Sequence, residues 1–229
     1  MVIGTGLPAL DRLLPRGAVA RGSLVEWLDD RAGGGSESLA VRFTREVGRS
    51  YGDIVVLDRD RQFYPPAFAA WGVGFDRLVI IHPGNEADEL WAAHQALRCP
   101  AVSVVWLRRD RLRPHDFRRL SLAAEAGGTV GVLFRSMKVR GQPTWADVQL
   151  CVQPRPFLQG RRLCIEVTRC RGHLNHSMVE VELDDVTGSV REVDRYETVR
   201  VPASAALAHP AADRRAARMA WTAHPRAPA

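Results

Sequence analysis

Gly33, Gly34, Gly35 and Ser36 follow the apolar run "SLVEWL" (Ser23 to Leu28) and precede Leu39, Phe43 and Val47 at helical spacing. A glycine loop between a strand and a helix start is where backbone N–H groups and the positive end of the helix dipole hold a phosphate. Ser36 and Ser38 offer hydroxyls of the kind that bind a nucleotide's magnesium. The lysine that should reach the outer phosphates is missing, because Glu37 follows Ser36 and the only lysine in the chain is Lys138. Asp29, Asp30 and Glu37 also place negative charge where an anion would have to sit, and each opposes it.

The remaining parts of a nucleotide-hydrolysing centre are thin. Such a centre carries an acidic group at the end of a central strand to hold the metal. In "AVSVVWLRRD" that place holds Trp106 or Leu107, and Asp110 comes only after Arg108 and Arg109. Asp58 and Asp60 in "DIVVLDRD" are placed to orient a water, although acids also cap strands without chemistry. The expectation is a degenerate nucleotide loop formed by Gly33, Gly34, Gly35, Ser36 and Ser38 with Asp60, no catalytic residue, and neither ATP nor magnesium as cofactor. Cys170, His173 and His176 fall within one turn with no second cluster to complete a metal site, so no metal is expected. Cys99, Cys151, Cys164 and Cys170 form no Cys-x-x-Cys pair and read as reduced and mostly buried.

Charge points to other surfaces. The 229 residues carry 32 basic against 26 acidic side chains, a net +6, and all the basic ones but Lys138 are arginine. Arginine's rigid fork of donors suits phosphate and carboxylate, although a GC-rich genome would also write arginine for lysine. In "LRRDRLRPHDFRRL", Arg108, Arg109, Arg111, Arg113, Arg118 and Arg119 stand against Asp110 and Asp116. They fit a phosphate backbone or an acidic partner, or else a solvated face with Phe117, Leu120 and Ala124 turned to the core. Lys138 and Arg140 precede Trp145, a combination that binds single-stranded DNA by neutralising phosphate and stacking a base, unless the indole packs beneath its loop. Near the end of the chain Arg214, Arg215 and Arg218 share a helical spacing with Met219 and Trp221, which suits a segment docking on a partner.

The elements that must position these groups follow from periodicity. "SLVEWL", "DIVVL" (Asp53 to Leu57), "RLVII" (Arg77 to Ile81), "AVSVVWL" (Ala101 to Leu107) and "TVGVLF" (Thr129 to Phe134) read as buried strands. Amphipathic helices are predicted between them, after the glycine loop, over Asn85 to Arg98, and from Pro114 to Gly127. Strand and helix in alternation give a mostly parallel sheet with helices on both faces. The period then changes to two. Leu163, Ile165 and Val167 alternate with Cys164, Glu166 and Thr168, and Val179, Val181 and Leu183 with Glu180 and Glu182, predicting half-exposed antiparallel strands that extend the sheet. Residues 1–200 are expected to form the core domain and 201–229 a tail too poor in large apolar groups to fold alone. There is no apolar run near 20 residues, and Met1 to Thr5 lack a secretory pattern, so the expected location is the cytoplasm, with no membrane contact.

"TGLPALDRLLPRGAVARGSLVEWL" resembles the opening of the RecA-type recombinase core, through Thr5, Gly6, Leu10, Asp11, Leu14, Gly22 and Glu26. The resemblance covers roughly residues 3 to 190. It implies an α/β fold of the P-loop NTPase type, with a RecA-like, mostly parallel central sheet flanked by helices and a C-terminal antiparallel hairpin. It also implies what each position has become. The loop's Lys-Thr falls near Gly35 and Ser36, the metal aspartate at Trp106 and the catalytic acid near Asp60. The residue that relays the nucleotide's state to DNA falls near Arg135 or Ser136, and the DNA-binding loop is cut to Met137 to Asp147. The paired basic residues that reach a neighbour's nucleotide align with Arg169 and Arg171.

A core of this length with a decayed loop is similar to ImuA, the accessory family of the bacterial damage-inducible mutagenesis cassette. That resemblance implies a non-enzymatic adaptor in SOS mutagenesis and translesion DNA synthesis. Its implied partners are the Y-family polymerase homologue ImuB, RecA, an error-prone replicative-type polymerase and single-stranded DNA. The rival readings are a RecA-like or KaiC-like ATPase with a divergent loop, and a cell-division inhibitor similar to SulA.

Overall fold

Parallel strands covered on both faces need apolar side chains at successive positions, and the central runs of this chain supply them. The structure is a computed structural model that describes residues 1–30, 34–49, 51–157, 160–171 and 177–193. The strands β1 (Val2–Ile3) and β2 (Val19–Ala20) pair in a small antiparallel sheet, with α1 (Pro8–Asp11) between them. There follow β3 (Leu24–Asp29), α2 (Ser36–Gly48), β4 (Asp53–Leu57), α3 (Pro65–Ala70), β5 (Leu78–Ile81), α4 (Glu86–Arg98), β6 (Val102–Arg108), α5 (Pro114–Gly127) and β7 (Val130–Ser136). The chain continues through β8 (Val148–Arg155), β9 (Arg161–Cys170), β10 (Ser177–Leu183) and β11 (Val190–Glu192). The main sheet has nine strands in the order β11-β10-β9-β8-β3-β7-β6-β4-β5. From β5 to β8 every pairing is parallel, and from β8 to β11 every pairing is antiparallel.

Each helix has a local cause. Asn85 caps α4 by accepting from the backbone N–H of Ala87 and Asp88, both at 2.9 Å. Pro114 opens α5, and Gly128, at φ +67°, closes it in the left-handed conformation. Residues alternate along the strands between two cores. One lies under α1, α2 and α3 and holds Trp27, Phe43, Val56, Phe68, Trp106 and Phe134. The other lies under α4 and α5 and holds Val55, Leu97, Val105, Leu107, Phe117 and Leu133. The terminal strands differ from the half-exposed expectation: along β9 Leu163, Ile165 and Val167 are buried, and so are Cys164 and Thr168 on the other face.

The described residues form one compact unit, Met1–Val193. Arg214, Arg215, Arg218 and Trp221, like Gly33, His173 and His176, lie outside the described residues. Among the described residues no helix is long and apolar enough to cross a membrane, and no group of His, Cys, Asp and Glu is arranged to hold a metal ion. All four cysteines are free thiols, three of them buried, and burial pushes the Cys151 thiol up to about 11.

The closest backbone approach tests this packing. Gly127 ends α5 against the last turn of α4, and a Cβ there would fall on the Leu97 carbonyl oxygen and 2.9 Å from the Arg98 Cα. Backbone cannot yield as a side chain can. Gly127→Ala is therefore expected to destabilise the fold by about 1–3 kcal/mol, read as a lower urea midpoint. An unchanged midpoint would mean that α4 and α5 part cheaply.

Candidate functional site

In an open α/β sheet, ligands sit beyond the carboxyl ends of the strands, where loops diverge. Here that rim gathers the ends of β3, β4, β6 and β7. Asp29 ends β3 and folds back over the glycine loop, its carboxylate accepting from the Ser36 N–H at 3.4 Å. A Cβ on Gly34 would strike this carboxylate. The first N–H of α2, in the part of the loop that would hold a phosphate, thus already faces a carboxylate from the same chain. Gly35 takes φ +102° and lies against β9, where a Cβ would come within 2.6 Å of the Leu163 methyl groups. Glu37 forms an ion pair with Arg108, and Ser38 lies 3.5 Å from an Arg161 nitrogen that also pairs with Asp185 at 3.0 Å.

At the end of β6 stands Trp106. Its indole N–H donates to the Thr44 hydroxyl of α2 at 2.7 Å, and its ring packs on Phe134 and Phe68 with centroids 4.7 and 4.9 Å away. An indole offers no lone pair to a magnesium ion. Asp58, nine-tenths buried, accepts from the Gln62 N–H at 2.8 Å. Asp60 is exposed and pairs with Arg59 at 3.4 Å. Beside them Glu89 is held by Arg109 at 2.8 Å and Arg59 at 3.6 Å. Burial pushes the Glu89 carboxyl up, against the pull of the Arg109 hydrogen bond and the Arg59 charge. Between α2, α3 and the ends of β4 and β6 lies a cleft of about 330 Å³.

A second constellation lies beneath the rim. Glu26 of β3 has no exposed surface, and it accepts from Arg135 Nη1 of β7 at 2.7 Å, Gln149 Nε2 of β8 at 2.7 Å and the Thr144 hydroxyl at 2.9 Å. Arg135 also donates from Nε and Nη2 to the Asp110 carbonyl, and Gln149 Oε1 accepts from Thr168 of β9 at 2.7 Å. Arg135, one of the two positions that the resemblance gives to a relay, is thus tied into the core.

The predicted basic surfaces sort differently. Arg109 is turned inward to Glu86 and Glu89 and is only 12% exposed in its side chain, while Arg108, Arg111, Arg113, Arg118 and Arg119 stay at the surface. Phe117, Leu120 and Ala124 are buried, as a core-facing helix requires. The structure parts Lys138 and Arg140 from Trp145. Arg140 clasps Glu166, both contacts at 2.8 Å, and Glu166 pairs in register with Cys151, opposite Leu28 near the carboxyl end of β3. Trp145 lies near the other end, two residues before Asp147, whose carboxylate accepts from the Leu24 N–H at 2.9 Å. The indole is 45% exposed, and its cationic neighbour is Arg118, 5.3 Å from the ring centre. Lys138 and Arg169 are exposed, and Arg171 pairs with Asp147 at 3.2 Å.

Comparison with solved structures decides the architecture. The crystal structure of the RadB recombinase superposes over 83% of this chain and 99% of its own, with a TM-score of 0.64 at 14% identity. The fold is RecA-like. In sequence, 104 residues, 45% of this chain, are 28% identical to the protein RecA of Deinococcus radiodurans, and the match spans 28% of that RecA's length. No family model matches the chain.

The strand-end positions of the loop, Asp60 and Trp106 were readable from the sequence. The cleft walls Phe63, Phe68 and Trp71 and the Glu26 partners Thr144 and Gln149 were not, and only the aromatic spacing in "QFYPPAFAAW" hinted at the former. The Glu26 pair gives a test. Glu26→Ala would leave a buried guanidinium without its carboxylate, and a loss of about 3–5 kcal/mol is expected in chemical denaturation. A loss under about 1 kcal/mol would mean that the pair behaves like a surface one.

Proposed function

We propose that this RecA-like chain is a non-catalytic adaptor of the ImuA type, acting in damage-induced mutagenesis and translesion DNA synthesis. The observation that carries the reading is the exchange of parts at the rim. An indole, locked by Thr44, Phe68 and Phe134, stands at the end of β6 where a metal carboxylate would belong. A carboxylate, Asp29, faces the Ser36 N–H where a phosphate would belong. Binding an ATP phosphate there requires displacing one anion and accepting another beside Glu37, with no lysine to offset either. The likeness to RecA and to the RadB recombinase supports a place in DNA transactions.

Its proposed protein partners are an ImuB-like polymerase homologue, RecA and an error-prone replicative-type polymerase. ATP with magnesium is expected to show no saturable binding up to millimolar concentration in calorimetry, and the protein to co-purify with the ImuB-like partner unless residues 203–229 are removed. Micromolar ATP affinity would revive the ATPase reading, and association that survives the deletion would move the interface to the core.

Single-stranded DNA is the further proposed partner, and the exposed Trp145 beneath Arg118 is the site best built to stack a base and meet its phosphate. Trp145→Ala with Arg118→Glu is expected to weaken oligonucleotide binding about tenfold or more at low salt, from stacking worth about 1–3 kcal/mol per base. Unchanged anisotropy titrations would remove DNA contact from this face.

A further inference from the structure

The cleft at the rim has walls and charge that a nucleotide site does not need. Phe63 and Phe68 stand edge-on to one another with centroids 4.8 Å apart, and each stands edge-on to Trp106. With Phe134 they give an aromatic lining to one side of a space of about 330 Å³, the lower end of the size range of small-ligand pockets and enough for one large side chain. Its lining carries Glu37, Asp58, Asp60 and Glu89 against Arg59 and Arg108, an acidic excess on a protein of net charge +6. Both arginines are already committed, Arg108 to Glu37 and Arg59 to Asp60, Glu86 and Glu89.

Asp58 is the exception. It is nine-tenths buried and lines the cleft. Its Oδ1 accepts from the Gln62 N–H, but among the described residues no hydrogen bond reaches Oδ2. The nearest cationic candidate, His82 Nδ1, is 3.7 Å from Oδ2 and already 2.7 Å from the Asp58 carbonyl. Oδ2 is the accessible oxygen of this carboxylate and opens on the cleft, where a cation brought to it gains in a partly screened setting.

We propose that this cleft receives a basic–aromatic anchor of a partner protein, with an aromatic side chain between Phe63, Phe68 and Trp106 and the guanidinium or ammonium of the adjacent residue on Asp58. Trp and Arg are the side chains that most often dominate protein interfaces, and here one site provides for both. The proposal rests on the adaptor reading for its occupant being a protein.

The test titrates the 15N-labelled full chain with the blocked dipeptide acetyl-Trp-Arg-amide. Acetyl-Trp-Glu-amide, acetyl-Ala-Arg-amide, phenethylamine and magnesium ATP serve as comparisons. The Trp-Arg probe is expected to shift the Phe63 and Phe68 amides and the Trp106 indole N–H, and to bind at least tenfold more tightly than either altered dipeptide. Asp58→Asn should remove that preference for Arg over Glu. Ala67→Trp, at an exposed position on the lining, should fill the space and abolish binding without disturbing the core. Equal binding of Trp-Glu, or binding that persists in Ala67→Trp, overturns the proposal. Phenethylamine binding more tightly than the dipeptide overturns the protein occupant in favour of a small amine. Magnesium ATP shifting the Ser36 and Ser38 amides with micromolar affinity while the dipeptide still binds would revive the ATPase reading and support the cleft. Failure of both probes would overturn the cleft alone.

Discussion

The buried pair between Glu26 and Arg135 is the constraint on which the arrangement of the sheet depends. Glu26 sits in β3, the strand flanked by the parallel β7 and β8, and a carboxylate with no exposed surface must have every oxygen engaged. It does so by drawing a guanidinium from β7, an amide from β8 and a hydroxyl from the segment between them. Gln149 passes the network to Thr168 on β9, across the change from parallel to antiparallel pairing. Arg135 carries it outward to the Asp110 carbonyl after β6. One charge pair therefore ties the central strands and two rim segments into a single hydrogen-bonded network.

That fixed frame explains how packing alone holds the glycine loop in place. Gly34 is needed because Asp29 lies against it, and Gly35 because Leu163 of β9 does and because the turn into α2 requires φ +102°. Both demands come from packing, and both remain whether or not a nucleotide is ever bound. The same rim is filled with aromatic rings, so that α2, α3 and the ends of β4 and β6 are joined by apolar contact around Trp106.

The central runs were legible because they are covered on both faces, which leaves an unbroken apolar signature at β3, β4, β6 and β7. The strand β8 escaped the same reading, because "VQLCVQPR" interrupts its apolar run with Gln149, Gln153 and Pro154. Gln149 is buried there only because Glu26 and Thr168 satisfy it, and no pattern within β8 announces partners that distant. Period two along β9 suggested a wet outer face, but Cys164 and Thr168 are buried as well. The pairing of Trp145 with Lys138 and Arg140 rested on nearness in sequence, and a segment that travels from one end of the sheet to the other gave the indole to Arg118 of α5 instead.

The sequence by itself determined the α/β alternation, the place of the glycine loop before α2, the lack of a lysine in that loop and the indole near the end of β6. These are properties of a residue's type and its place along one element, and periodicity is enough to read them. Only the tertiary structure decided that Asp29 occupies the loop's N–H group, that Arg109 is spent inside on Glu89, and that Phe63, Phe68 and Trp106 enclose a space with Asp58 at its side. Each of these joins side chains from separate elements across the sheet's rim, and the register and crossing of those elements are set by packing over the whole core.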